Sequence, residues 1–291
     1  WRSRKQNIMK QKLFIIICLF FSCEKEAERA AFLSINHFSF ENNNNQETKP
    51  FSEEFESTNI TDAWVTVDGN FIGAFETPSN IPILELEKSN HEIRISPGIK
   101  ENGISGSRMI YPFYNFFEIS DSIILEESVI INPTTSYKDV NFKFLTEGTF
   151  EIGNMLEETE NSDTIPLIQD EEIFQGEKSC ALCIDETNNS FQIITINDIS
   201  FNEFPEYVFL EMNFKSSINF KLGLIENQDL QNKTEHIQIY KTDTWKKIYL
   251  NLSQLIIPNI ANSTFQIYFE SNFSENEVEG CVYLDNIKLV Y

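Results

Sequence analysis

Hydrophobic and polar residues alternate with a period of two along most of the chain from Thr61 onward. Trp64-Val65-Thr66-Val67 runs into Asp68-Gly69, and Phe71-Ile72-Gly73-Ala74-Phe75 runs out of it. Asp-Gly between two β-rich runs marks a tight hairpin, because glycine takes a positive φ without steric cost. Further β-rich runs follow at 81–84, 91–95, 111–119, 123–125 and 129–131, with turn residues between them. No apolar pattern of period 3.6 reaches helix length here. Short strands at this spacing predict an antiparallel sandwich over residues 60–135.

Residues 132–139 (Asn-Pro-Thr-Thr-Ser-Tyr-Lys-Asp) break the alternation. They hold turn formers and no apolar periodicity, so they are read as a domain boundary that few contacts cross. Beyond it, runs recur at 140–144, 179–184, 191–196, 207–214, 219–225, 236–240, 245–252, 264–269 and 281–291. That density of strands in about 150 residues suits a jelly roll over 140–291. The expected fold class is all-β, with two β-sandwich domains in series.

The N-terminus has a different pattern. Met9-Lys10-Gln11-Lys12 is a short basic stretch, and 13–21 is an unbroken apolar run of nine residues, followed by Ser22-Cys23. Nine residues are too few to span a bilayer but match the hydrophobic region of a signal peptide. Residues 9–22 are therefore read as a signal peptide and 1–8 as upstream sequence. Residues 23–59 are read as a polar tether, in which the apolar stretch 30–35, with Phe38 and Phe40, is either part of the tether or a first strand.

Composition narrows the function. Lys and Arg number 22 against 45 Asp and Glu, a net charge of −23. Such a chain repels phosphate backbones, so no nucleic-acid partner is expected. With 26 Phe against 10 Gly and 9 Pro, it is neither collagenous nor a Pro/Gly-rich disordered chain.

Several of these segments resemble known families. Val67-Asp68-Gly69, Ile72-Gly73, Pro78 and His91-Glu92-Ile93-Arg94-Ile95 with Pro97-Gly98 resemble a PEGA-like, carboxypeptidase-regulatory-type sandwich, a non-catalytic attachment module. The likeness lapses between 102 and 117. Gln175-Gly176-Glu177-Lys178-Ser179, Trp245-Lys246-Lys247-Ile248-Tyr249-Leu250 and Tyr283-Leu284-Asp285-Asn286-Ile287-Lys288-Leu289 resemble the galactose-binding-like jelly roll of many carbohydrate-binding modules. Ser22-Cys23 resembles a lipobox, although Phe20 and Phe21 replace its usual Leu and small residue.

Together these resemble a Bacteroidota outer-membrane lipoprotein. The resemblance implies acylation of Cys23 and a location on the periplasmic or cell-surface side of the outer membrane. It also implies a jelly roll that binds glycan or a partner protein. The competing reading is an accessory subunit of an outer-membrane protein assembly with no sugar ligand. The resemblance further implies a structural calcium at Asp285, with Glu151 and Glu177 as oxygen donors for a hard cation. Asp121-Ser122-Ile123 and Asp163-Thr164-Ile165 resemble a three-residue O-glycosylation motif, which would modify Ser122 and Thr164.

No catalytic residue is expected. His37, His91 and His236 are scattered, and no metalloprotease helix motif, phosphate loop or nucleophile elbow occurs. Apart from the calcium, no cofactor is implied. Cys180-Ala181-Leu182-Cys183 falls within a strand, where positions i and i+3 face opposite sides, so it lacks the setting of a redox pair. In an oxidising compartment a Cys183–Cys281 disulfide is one outcome and buried free thiols are the other. The run Tyr111-Pro112-Phe113-Tyr114-Asn115-Phe116-Phe117 offers two readings as well. Tyr111, Tyr114 and Phe116 could stack on a ligand, while alternation sends Tyr111, Phe113 and Phe117 to a core. Trp245 is expected in the core.

Overall fold

The structure, a computed structural model, describes residues 30–41, 57–83, 90–121, 128–276 and 278–291. The expected signal peptide, Cys23, Ser122 and the run at 123–125 lie outside these residues. No helix among them is long and apolar enough to cross a membrane.

The first sandwich has two sheets. One has the order β5-β1-β9, built from Ser79–Ile83, Ala31–Ile35 and Ser128–Ile131. The other has the order β4-β3-β6-β7, built from Asn70–Glu76, Asp62–Val67, His91–Lys100 and Arg108–Ile110, and β8 (Phe117–Asp121) also pairs with β6. The stretch offered as tether or strand is thus the central strand of a sheet. Ala31, Leu33 and Ile35 alternate inward, where they meet Val65, Ile81, Ile93, Ile95 and Ile131. The Asp68-Gly69 hairpin is present, with φ of 48° and 79° at its two central residues.

The jelly roll also has two sheets. The first has the order β13-β14-β21-β16-β19: Leu167–Gln169, Ser179–Ile184, Gly280–Val290, Phe209–Ser216 and Thr242–Asn251. The second has the order β12-β15-β20-β17-β18: Leu156–Glu158, Ser190–Thr195, Phe265–Asn272, Phe220–Glu226 and Lys233–Ile239. Their inward faces share one core that includes Leu182, Phe191, Met212, Leu222, Ile267 and Leu284. Cys183 and Cys281 sit directly opposite on β14 and β21 and form a disulfide. Cys180 faces the core as a buried thiol, and burial pushes its pKa up.

The expectation that few contacts cross 132–139 is corrected. That segment contains β10 (Thr134–Thr135), which pairs in parallel with β2 (Ser39–Phe40). A third apolar core lies between the two sandwiches, joining Ile99, Tyr111, Phe113 and Tyr114 to Val140, Phe209, Tyr249 and Val290. Contacts cross 132–139 because Tyr137 within it and the rings of Tyr111, Phe113 and Tyr114 pack against the jelly roll.

A charged cluster fills the middle of this junction. Glu211 on β16 is fully buried. Its Oε1 accepts the Tyr111 hydroxyl at 2.7 Å, and the Tyr137 hydroxyl donates at 2.7 and 2.8 Å to its two oxygens. The Lys247 ammonium lies 2.7 Å away and that of Lys288 3.6 Å away. Burial alone would raise the Glu211 pKa, but the two lysines and the hydroxyl donors outweigh it and hold it at about 2. The Lys288 pKa is also lowered, to about 7, because burial and Lys247 outweigh the pull of Glu211.

Two predictions follow from this junction. Glu211→Gln strands two buried ammoniums and should cost about 3–5 kcal/mol, read as a drop in the urea midpoint of the full chain. Because the folded Glu211 pKa lies below its unfolded value, its contribution is fully present above about pH 4.5 and is lost as pH falls toward 2. Acid titration of the wild-type melt should show this loss, and the Gln variant should lack it. Separately, the disulfide closes a sequence separation of 98 residues. Its reduction should remove about 2–5 kcal/mol of stability, seen as a lower Tm in reductant.

Candidate functional site

Each sheet of the jelly roll has an inward face in the core and an outward face. The outward face of β13-β14-β21-β16-β19 is taken up by the protein itself. Over one half, Tyr111 and Tyr137 sit on Glu211, Asn59 donates to the Lys247 carbonyl at 3.0 Å, and Ser57 donates to Asn213 at 2.9 Å. Over the other half runs the 170–178 loop. Its Phe174 and Gln175 amides donate to Asp285, Glu172 pairs with Lys215 at 2.7 Å, and the Phe174 ring packs on Trp245. Trp245, expected in the core, is instead half-buried on this outer face.

Among the described residues the outward face of β12-β15-β20-β17-β18 has no domain over it apart from the Asn102 contact with His236 at its β18 edge, and three rows of side chains cross it. Pairing aligns Gln192, Glu270, Lys221 and Gln238 in the first row and Ile194, Tyr268, Gly223 and Glu235 in the second. Gln266, Ile225 and Lys233 form the third. Although they point away from the core, Tyr268 is 1% exposed, Gln266 4% and Gln192 8%. Side chains on an open sheet face become this buried only where the face is recessed between raised edges.

Gly223 makes the recess. A Cβ there would lie 2.1 Å from the Thr234 carbonyl oxygen and 2.6 Å from the Tyr268 ring. Its absence lets the ring lie flat across the strand. Lys233 then reaches diagonally over this point to pair with Glu270, with its ammonium 5.0 Å from the ring centroid of Tyr268. Burial, reinforced by Glu270 and Glu235, pushes the Tyr268 phenol pKa up.

Beside this platform is a groove of about 270 Å³. Ile194, Ile196 and Leu230 line its apolar side, and Glu157, Gln228 and Gln266 its polar side. The polar groups are held in place. Gln266 Nε2 donates to the Thr195 carbonyl at 2.7 Å, and Thr159 donates to Gln192 Oε1 at 2.9 Å. Gln228 stands in the turn after β17, where Asn227 and Gln228 adopt φ of 55° and 58°. Left-handed backbone at a non-glycine pair costs of order 1–3 kcal/mol per residue and concentrates at functional surfaces. Gln228 Nε2 is anchored by Asp198 at 2.9 Å.

The residues singled out from the sequence lie elsewhere. Tyr111 and Tyr114 are 0% and 1% exposed within the domain junction, so they are corrected from ligand contacts to interface core. Phe116 is exposed on the first sandwich, with the Arg94 guanidinium 4.3 Å over its ring. The calcium expectation is also corrected. Asp285 accepts N–H bonds from Phe174, Gln175 and Asn286, and Glu151 accepts those of Glu177 and Lys178. A cation there would meet amide donors where it needs oxygens, and the Glu177 side chain is exposed to solvent. Burial pushes Asp285 up to about 7 against those N–H bonds. Among the described residues no group of three or more His, Cys, Asp or Glu is placed to hold a metal ion. Thr164 is partly exposed between β12 and β13. His91 bonds Asp68 at 2.7 Å, His37 bonds Thr77 at 3.2 Å, and His236 bonds Asn102 at 3.2 Å.

The groove was missed because its signal is a modest one. Gln266-x-Tyr268-x-Glu270 and Lys221-x-Gly223 carry polar, aromatic and small residues at period two, a pattern that ordinary solvated strand faces share.

No protein-family model and no curated protein matches this sequence. Solved structures with a similar fold include a family 61 carbohydrate-binding module in complex with β-1,4-galactotriose. It is 12% identical, has a TM-score of 0.34, and spans 50% of this chain and 96% of its own. A family 11 carbohydrate-binding module of a Clostridium thermocellum cellulosomal cellulase is 15% identical at a TM-score of 0.35, over 52% of this chain and 95% of its own. A family 29 module is 13% identical at a TM-score of 0.36, over 53% and 90%. This chain is similar to carbohydrate-binding-module jelly rolls over about half its length.

Proposed function

We propose that the protein is a non-catalytic carbohydrate-binding protein that holds its ligand in the groove on the free sheet face of the jelly roll. One observation carries the reading: an uncovered sheet face is recessed around nearly buried amides and an aromatic ring, with an apolar wall facing a polar one. A sugar ring presents the same two chemistries, a face of C–H groups and an edge of hydroxyls. Ile194, Ile196 and Leu230 suit the first, while Glu157, Gln228 and Gln266 suit the second. Among the described residues lining the groove none form a nucleophile–base pair, so binding rather than turnover is the activity assigned.

The same reading places the protein at the outer membrane through an acylated Cys23, supported by the short basic stretch, nine-residue apolar run and Ser22-Cys23 junction. Acyl chains contribute roughly 0.8 kcal/mol per buried CH₂, and several chains on one cysteine give durable anchoring.

Binding should be visible as retardation of the full chain in native gels cast with soluble polysaccharides. Gln266→Ala removes a fixed hydrogen-bonding group from the groove and should weaken binding about tenfold. Gly223→Ala forces the Tyr268 ring and β18 apart and should cost about 1–3 kcal/mol in stability as well as weakening binding. Phe174→Ala, on the covered sheet, should leave binding unchanged. Retardation that survives both groove variants, or none with any polysaccharide, would refute the site. For the anchor, Cys23→Ala should move the protein from the membrane to the soluble fraction of cells. A Cys23→Ala protein that remains acylated would refute that assignment.

A further inference from the structure

Resting on the carbohydrate-binding reading, we propose that the groove selects a cationic amino sugar, one whose ring carries a free ammonium. The balance of unused hydrogen-bonding groups points this way. Glu157 and Glu160 line the groove, and neither carboxylate has an ion-pair or hydrogen-bond partner among the described residues. Acidic side chains alone would mean little in a chain of net charge −23. The buried amide adds an independent constraint. Gln266 is 4% exposed, and its Nε2 is fixed by the Thr195 carbonyl, which can only accept. Its orientation is therefore settled, and Oε1 is left in the groove wall without a partner among the described residues.

Gln228 repeats the arrangement. Its Nε2 is turned to Asp198, so its Oε1 is the end without a partner among the described residues. The Thr159 hydroxyl donates to Gln192 and is no longer available as a donor to a ligand. The unpartnered oxygens of the groove are acceptors, the second N–H of each amide is the remaining side-chain donor, and no lysine or arginine lines it. Glu157 and Glu160 give the lining a net negative charge, which disfavours uronic acids and sulfated sugars. A hydroxyl would be accommodated, but an ammonium supplies three donors and a positive charge at once. Ile194, Ile196 and Leu230 would take the C–H face of the same ring.

Isothermal titration of the full chain would test this at about pH 6, where an amine is protonated. The probes are a fully de-N-acetylated glucosamine oligomer, its fully N-acetylated counterpart and a neutral glucose oligomer of equal length. The glucosamine oligomer should bind about tenfold tighter than the other two. Glu157→Gln with Glu160→Gln should erase that preference, lowering the glucosamine oligomer's affinity to that of the neutral oligomer. Equal or tighter binding of the N-acetylated or neutral oligomer, still lost with Gln266→Ala, would overturn the amino-sugar inference and leave the carbohydrate site standing. A preference lost equally with Glu92→Gln and Glu118→Gln, on the first sandwich, would overturn it as general charge attraction. No binding of any oligomer would overturn both readings.

Discussion

A carboxylate taken out of water between two domains must be compensated or it unfolds them, and the architecture here depends on how Glu211 meets that requirement. Desolvating an ion of this size costs several kcal/mol after relaxation. Lys247 and Lys288 come from the same sheet as Glu211, but Tyr111 and Tyr137 come from the first sandwich and the segment leading out of it. The jelly roll therefore cannot satisfy its own buried charge completely. Docking of the first sandwich closes the hydrogen-bond shell, and the surrounding rings exclude the water that would weaken it.

This arrangement also decides where a ligand can go. A β-sandwich has two outer faces. One is sealed by the partner domain around Glu211 and by the 170–178 loop over Asp285, leaving β12-β15-β20-β17-β18 as the face open to solvent. The Tyr268 platform beside the groove depends on Gly223, since any other side chain would stand where the ring lies.

Much of the fold was legible in the sequence, because period-two alternation survives wherever a strand has one buried and one exposed face. Asp68-Gly69 gave its hairpin, and most strands from β14 to β21 coincide with β-rich runs. The pairing of domains was not legible. Tyr111, Phe113 and Tyr114 look identical whether they pack on their own sheet, on a neighbour or on a ligand, and only the partner surface tells these apart. Residues 132–139 read as a linker because Pro133 and the polar residues around it carry no period, yet Tyr137 reaches Glu211 from within them. Site chemistry was the least legible part. Asp285 has the residue type and strand position of a metal ligand, and only the direction of the Phe174 and Gln175 amides shows that its oxygens are already occupied.

The position of β1 has a mechanical consequence. Residues 31–35 run parallel to β9 and antiparallel to β5, and β9 leads through β10 into the domain junction. Tension between the N-terminus and a ligand held by the jelly roll would pull the start of β1 and the end of β9 in opposite directions. Parallel strands loaded at opposite ends are sheared, so their hydrogen bonds share the load instead of breaking one after another. The first described strand is therefore placed where its hydrogen bonds to β9 are loaded in shear.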